Sequence, residues 1–172
     1  MLKRNKPTDN TGALLEQAAH MRWQRATPAS LHRVPEPLRT LLSEHHSLTA
    51  ALRHQYGGDL HTQLMELNWR YLTRSLGRSQ AQRCLTRRLR MYAGERQVLE
   101  AVSLLPASML ARPAFRHLSL LGDRALGDAV FGKNGTAMRS ELLIAHNALG
   151  WWRSSQLLLG RHSITLLELF PF

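Results

Sequence analysis

The chain has 172 residues, 44% of them hydrophobic, enough to bury one continuous core and short for two domains of ordinary size. With 23 Lys and Arg against 12 Asp and Glu, its formal charge of +11 attracts anions, whether nucleic acid, an anionic membrane or a small polycarboxylate, and excludes a strongly cationic partner. The single cysteine, Cys84, excludes an internal disulfide and a thiolate metal cluster and fits a reducing cytoplasm.

Residues 1–12 are polar and turn-rich, which predicts a flexible N-terminal segment followed by one domain over 13–172. No apolar stretch follows Lys3, Arg4 and Lys6, and no run of eighteen apolar residues occurs, so neither a secretory leader nor a membrane span is expected. Leu14, Leu15, Ala18 and Met21 recur at helical spacing until Thr27, Pro28, Pro35 and Pro37 interrupt them. Pro37 opens a predicted helix through Leu41 and Leu42 to about His46, and Ser47 caps another over 48–56 that stops at Gly57-Gly58.

The period then changes. Leu60 to Trp69 and Arg83 to Tyr92 alternate apolar and polar residues as half-buried strands do. Ala93-Gly94-Glu95 is turn chemistry that joins the second strand to Val98–Leu105 as an antiparallel hairpin ended by Pro106. A short helix is expected over 113–121, turns at Gly122-Asp123 and Gly132 to Gly135, strand or helix over 138–146, and a last strand from Ser163 to Phe170. Helices gathered early and antiparallel strands later predict an α+β domain, a sheet of about six strands with helices packed around it.

Two ionisable residues break the apolar faces. Arg87 shares a strand face with Leu85, Leu89 and Met91, whereas Arg88 and Arg90 face the other way. A guanidinium among leucines is costly unless an acceptor meets it, and arginine clamps carboxylates well; the alternative is an edge strand whose arginine reaches out to solvent. Glu168 poses the same problem beside Ile164, Leu166 and Phe170. Together the two would make either a ligand site or a structural ion pair. The nine histidines match no metal-binding spacing, and no glycine-rich phosphate loop or nucleophile elbow is present. No metal and no cofactor are expected. Of Trp151 and Trp152, one is expected in the core and one at the surface.

Leu126-Gly127 before an aliphatic-aromatic strand start, Trp152-Arg153-Ser154, and the terminal Leu167-Glu168-Leu169-Phe170 resemble the chorismate pyruvate-lyase family. So do Thr86-Arg87-Arg88 followed by a Gly94-Glu95 turn and Ser103-Leu104-Leu105-Pro106, and upstream Ser47-Leu48-Thr49 after Leu41-Leu42. The likeness covers about residues 35–172. It implies a lyase that converts chorismate to 4-hydroxybenzoate and pyruvate in ubiquinone biosynthesis. Arg87 would bind the ring carboxylate, backbone at Leu126 would add a donor, Glu168 would meet the ring oxygen and Leu48 would line the pocket. Two departures are visible. The turn after Arg87 is one residue short, which makes Arg88 the fallback, and Arg153-Ser154-Ser155 stands where the family tends to carry paired arginines.

The expected partners are chorismate and 4-hydroxybenzoate, with peripheral contact to an anionic membrane suggested by the charge. No nucleic acid is expected, because the basic residues lack aromatic interleaving, and the chain is expected to be a cytoplasmic monomer. The rival reading is a sensing domain of the same fold that binds an aromatic carboxylate without turnover.

Overall fold

Helix boundaries follow local chemistry. The computed structural model describes residues 10–72, 81–132 and 137–172. Helix α1, Thr11–His20, begins where the Asn10 side chain accepts a hydrogen bond from the Gly12 N–H, and Thr11 is buried with its hydroxyl donating to Glu66. Residues 10–12, expected to be flexible, are thus the start of an ordered helix; residues 1–9 of that expected segment lie outside the described residues. Helix α2, Pro28–Leu31, carries a capping box between Thr27 and Ser30. Helix α3, Leu38–Leu42, stops short of His46, because the Ser43 hydroxyl turns back onto the Arg39 carbonyl and His45-His46 run exposed toward the next cap. That cap is Ser47, which accepts from the Ala50 N–H to start α4, Leu48–Tyr56. Gly57 ends α4 at φ 70°, a conformation that strains any residue with a Cβ.

The strands are β1 Gln24–Arg25, β2 Leu60–Leu72, β3 Gln82–Ala93, β4 Arg96–Pro106, β5 Met138–Arg139, β6 Leu143–Asn147, β7 Gly150–Leu159 and β8 His162–Pro171. They form one antiparallel sheet in the order β1-β6-β7-β8-β4-β3-β2, with β5 also pairing with β7. The fold is the expected α+β, with eight strands among the described residues rather than about six, the additions including the two-residue β1 and β5, too short to leave a periodic signal. Residues 138–146, which sequence left between strand and helix, are strand at both ends. Between β4 and β5 the chain forms α5, Ala107–Leu110, a 3-10 segment, Pro113–Leu120, and α6, Leu126–Phe131. The segment after Leu126-Gly127, expected to begin a strand, is therefore a helix. Of the expected Gly132–Gly135 turn, residues 133–135 lie outside the described residues.

Both faces of the sheet are covered. On one face α1 packs Leu14, Leu15 and Ala18 against Val102, Leu104, Trp152, Leu167 and Leu169. The other face carries α3, α4, α6 and the 3-10 segment, with Leu41, Leu42, Leu48 and Leu52 around Phe170 and with Leu118, Leu121, Leu126 and Val130 around Leu166. Each such leucine removed from water contributes roughly 1.5–3 kcal/mol. Covering both faces is why β3 is buried continuously from Cys84 to Leu89 instead of alternating. Trp152 is the core tryptophan, and Trp151 is half-buried. At the β2 edge, Leu67, Trp69 and Tyr71 are exposed, with the Arg83 guanidinium 4.7 Å above the Trp69 ring. Among the described residues, no helix is long and apolar enough to cross a membrane.

Candidate active site

Alternation along β3, β4 and β8 sends Arg87, Ser103 and Glu168 to the face away from α1. There a narrow cavity of about 40 Å3 is lined by both charged residues. Its floor is made by the register. Arg87 pairs with Ser103 and Ser103 with Leu166, while Ala101 pairs with Glu168. The two charged side chains therefore rise from points two strands apart, roughly 10 Å, and two residues apart along the strands, about 7 Å. Between them β4 presents only Ala101 and Ser103, and these small side chains leave the space that larger ones would fill. Leu89, Met91, Leu99 and Leu157 add apolar walls.

The roof comes from the first turns of α4 and α6, which bring Leu48, Thr49, Ala125, Leu126 and Gly127 to the cavity. Their close approach uses Gly127, where a Cβ would lie 3.3 Å from the Thr49 hydroxyl. Arg53 on α4 ties the two helices together through a two-pronged ion pair with Asp128, at 2.8 and 2.7 Å. Leu48 and Leu126 both line this cavity.

Arg87 and Glu168 do not pair with each other. Arg87 is 2% exposed, and its Nη2 donates to the carbonyls of Gly122 (2.6 Å) and Arg124, pinning the turn that leads into α6. Its Nη1 is buried with no protein partner. Burial pushes the guanidinium down to about 10, against a smaller upward pull from Asp123, so it stays charged at neutral pH.

Glu168 is held instead by two arginines that sequence reading had not assigned to it. Arg153, directly opposite on β7, donates from Nε to Oε2 at 2.7 Å and from Nη1 to the carbonyls of Leu41 and Glu44 at 2.8 and 2.9 Å. Arg139 on β5 sets its Nη1 3.7 Å from the same oxygen, bonds the Ser155 hydroxyl at 2.7 Å and the His46 carbonyl at 3.2 Å, and lies over the Phe131 ring. Burial alone would raise the Glu168 carboxyl, but Arg153 and then Arg139 outweigh it and hold the group below the ordinary carboxylate range. It is therefore ionised at neutral pH. Arg153 was visible in sequence only as part of a motif. Arg139 gave no signal, because its place beside Glu168 depends on a two-residue strand docking on β7.

Arg88, the fallback, points to the α1 face and pairs with Glu100, with Arg90 Nε 3.5 Å from the same carboxylate. Parity along β3 separates it from the cavity. Among the described residues, no group of three or more His, Cys, Asp or Glu side chains is arranged to hold a metal ion.

A family model described as chorismate lyase matches residues 17–171, nearly the whole chain. No curated protein matches it.

Proposed function

We propose how this chain works from the premise that it belongs to the chorismate lyase family and is a chorismate pyruvate-lyase. Arg87 takes the ring carboxylate of chorismate on its free Nη1, and the backbone N–H of Leu126, in the first turn of α6, adds a second donor. The ring lies over Ala101 and Ser103 beneath Leu48. Glu168 meets the ring hydroxyl, which donates its proton into a hydrogen bond with the ionised carboxylate. The observation that carries this reading is one cavity lined by a buried guanidinium with an open Nη1 at one end and an arginine-stabilised carboxylate at the other.

The chemistry asks little beyond this. Cleavage of the ether C–O bond releases the enolpyruvyl group, the ring carbon bearing the hydroxyl loses its proton, and the ring becomes aromatic. The enolpyruvyl fragment takes up one proton and leaves as pyruvate, so the reaction balances without oxidant or reductant. The protein holds a dianion in its reactive conformation, keeps water out and stabilises negative charge moving to the departing oxygen. The product, 4-hydroxybenzoate, is proposed to feed ubiquinone biosynthesis from the cytoplasm. The exposed Leu67, Trp69 and Tyr71 beside Arg83, with the net charge of +11, favour peripheral contact with an anionic bilayer during delivery.

The test is to supply purified protein with chorismate and follow both products, alongside Arg87→Ala and Glu168→Ala. Equimolar 4-hydroxybenzoate and pyruvate from the parent chain, with both variants inactive while still folded, is the expected result. Intact chorismate would leave the binding-only sensor as the reading of this site.

A further inference from the structure

Chorismate carries two carboxylates, and the proposed roles of Arg87 and Glu168 account for one carboxylate and one hydroxyl. The second carboxylate sits on the enolpyruvyl group, whose ether carbon is next to the carbon bearing the hydroxyl. If Glu168 holds that hydroxyl, the second carboxylate falls at the Glu168 end of the cavity, away from Arg87. A cation with a spare donor is needed there, and the buried groups on this face supply one. Arg87, Arg139 and Arg153 set three guanidiniums against the one buried carboxylate of Glu168, an excess of positive charge that Asp123 and Glu44, nearer solvent, only partly offset.

Two arginines flank Glu168, and the structure distinguishes them. Arg153 does not line the cavity; its Nη1 is held by the carbonyls of Leu41 and Glu44, and its Nη2, also buried without a hydrogen-bond partner, belongs to a side chain outside the cavity wall. Arg139 does line the cavity. Its side chain is 3% exposed, its two terminal nitrogens are fixed by Ser155 and His46, and its Nε is buried without a protein partner. A buried N–H left open costs stability, and an arriving carboxylate would remove that cost.

We propose that Arg139 receives the enolpyruvyl carboxylate of the substrate and is the residue by which the site distinguishes the dianionic substrate from its monoanionic aromatic product. The inference rests on the lyase reading above and deepens it. Arg139 also lies beside the breaking ether bond, so its charge favours the departing enolate as well as the bound carboxylate.

The experiment compares two ligands in two variants. Arg139→Gln is expected to lower kcat/KM for chorismate by about 10- to 150-fold, the loss of a hydrogen bond to a charged group, while the Kd for 4-hydroxybenzoate, which lacks the second carboxylate, stays within about threefold by the same arithmetic. Arg87→Gln is expected to weaken both ligands. Arg139→Lys, which keeps the charge, restores part of the loss and serves as the readout if the glutamine variant fails to fold. Undiminished kcat/KM in Arg139→Gln would overturn the proposal. So would an equal fall in 4-hydroxybenzoate affinity, which would make Arg139 only a support for Glu168. A parent chain that leaves chorismate intact overturns the lyase reading itself, a result distinct from an active parent with an indifferent Arg139 variant.

Discussion

Arg87 and Arg88 are neighbours in sequence, both 2% exposed, and they do opposite things. Arg88 closes onto Glu100 across the β3–β4 ladder on the α1 face, with Arg90 close behind. Arg87 has backbone carbonyls for one nitrogen and an open donor on the other, facing a cavity. Burial is the same for both. The difference is whether the acceptor is built into the fold or must arrive from solution. A carboxylate in place makes a structural pair; a carboxylate withheld leaves a receptor.

The strongest way to break that comparison is to remove one partner of the closed pair. Arg88→Met is expected to destabilise the fold by about 3–5 kcal/mol, because Glu100 is left as a buried charge without its main partner. Adding Glu100→Leu should recover much of the loss, since an apolar pair of similar volume needs no desolvation. Urea unfolding of the single and double variants measures both steps, and turnover per folded molecule should be unchanged in each. A large loss of turnover in the double variant would show that the α1 face takes part in the site.

A second test sharpens the contrast at Glu168, whose carboxyl the arginines hold below its ordinary range. A depressed folded-state pKa means stability that is fully present above the unfolded value, about 4.3, and lost as pH falls through the folded value. The stability difference between the parent chain and Glu168→Gln should therefore stay flat from neutral pH down to about 4.3 and shrink below it. Unfolding free energies measured between pH 7 and pH 3 check this. A difference that already shrinks near pH 6 would mean that burial outweighs Arg153 and Arg139.

The contrast also explains what could be read in advance. Ser47 before an apolar helix and Gly57 after it are local signals, and they mark α4 correctly. Period-two counting separated Arg87 from Arg88 because a strand fixes which side chains share a face. It could not say what covered each face, so nothing in the sequence showed that α1 lies over the face that carries Arg88. Glu168 advertised its need for a cation, but the cations came from β7 and β5, brought near only by sheet order. Small residues at Ala101 and Ser103 made the floor of the cavity. In sequence they were only two polar-neutral positions in a hairpin strand.

The smallest effect concerns a third arginine pair, Arg53 with Asp128, which resembles the Arg88 pair in chemistry and differs in exposure. Its geometry is the best of the three, with two parallel hydrogen bonds, yet the side chains are 54% and 38% exposed. Water and salt screen such a pair, so Arg53→Ala should cost only about 0.2–1 kcal/mol, less as salt is raised. The pair nonetheless joins α4 to α6, the two helices that roof the cavity, so chorismate KM should be read beside the melting temperature. A small stability loss with unchanged KM would show that packing around Gly127 and Thr49 already fixes the roof. A KM that rises while stability holds would show that an exposed ion pair, nearly worthless to the fold, positions Leu48 and Leu126 over the substrate.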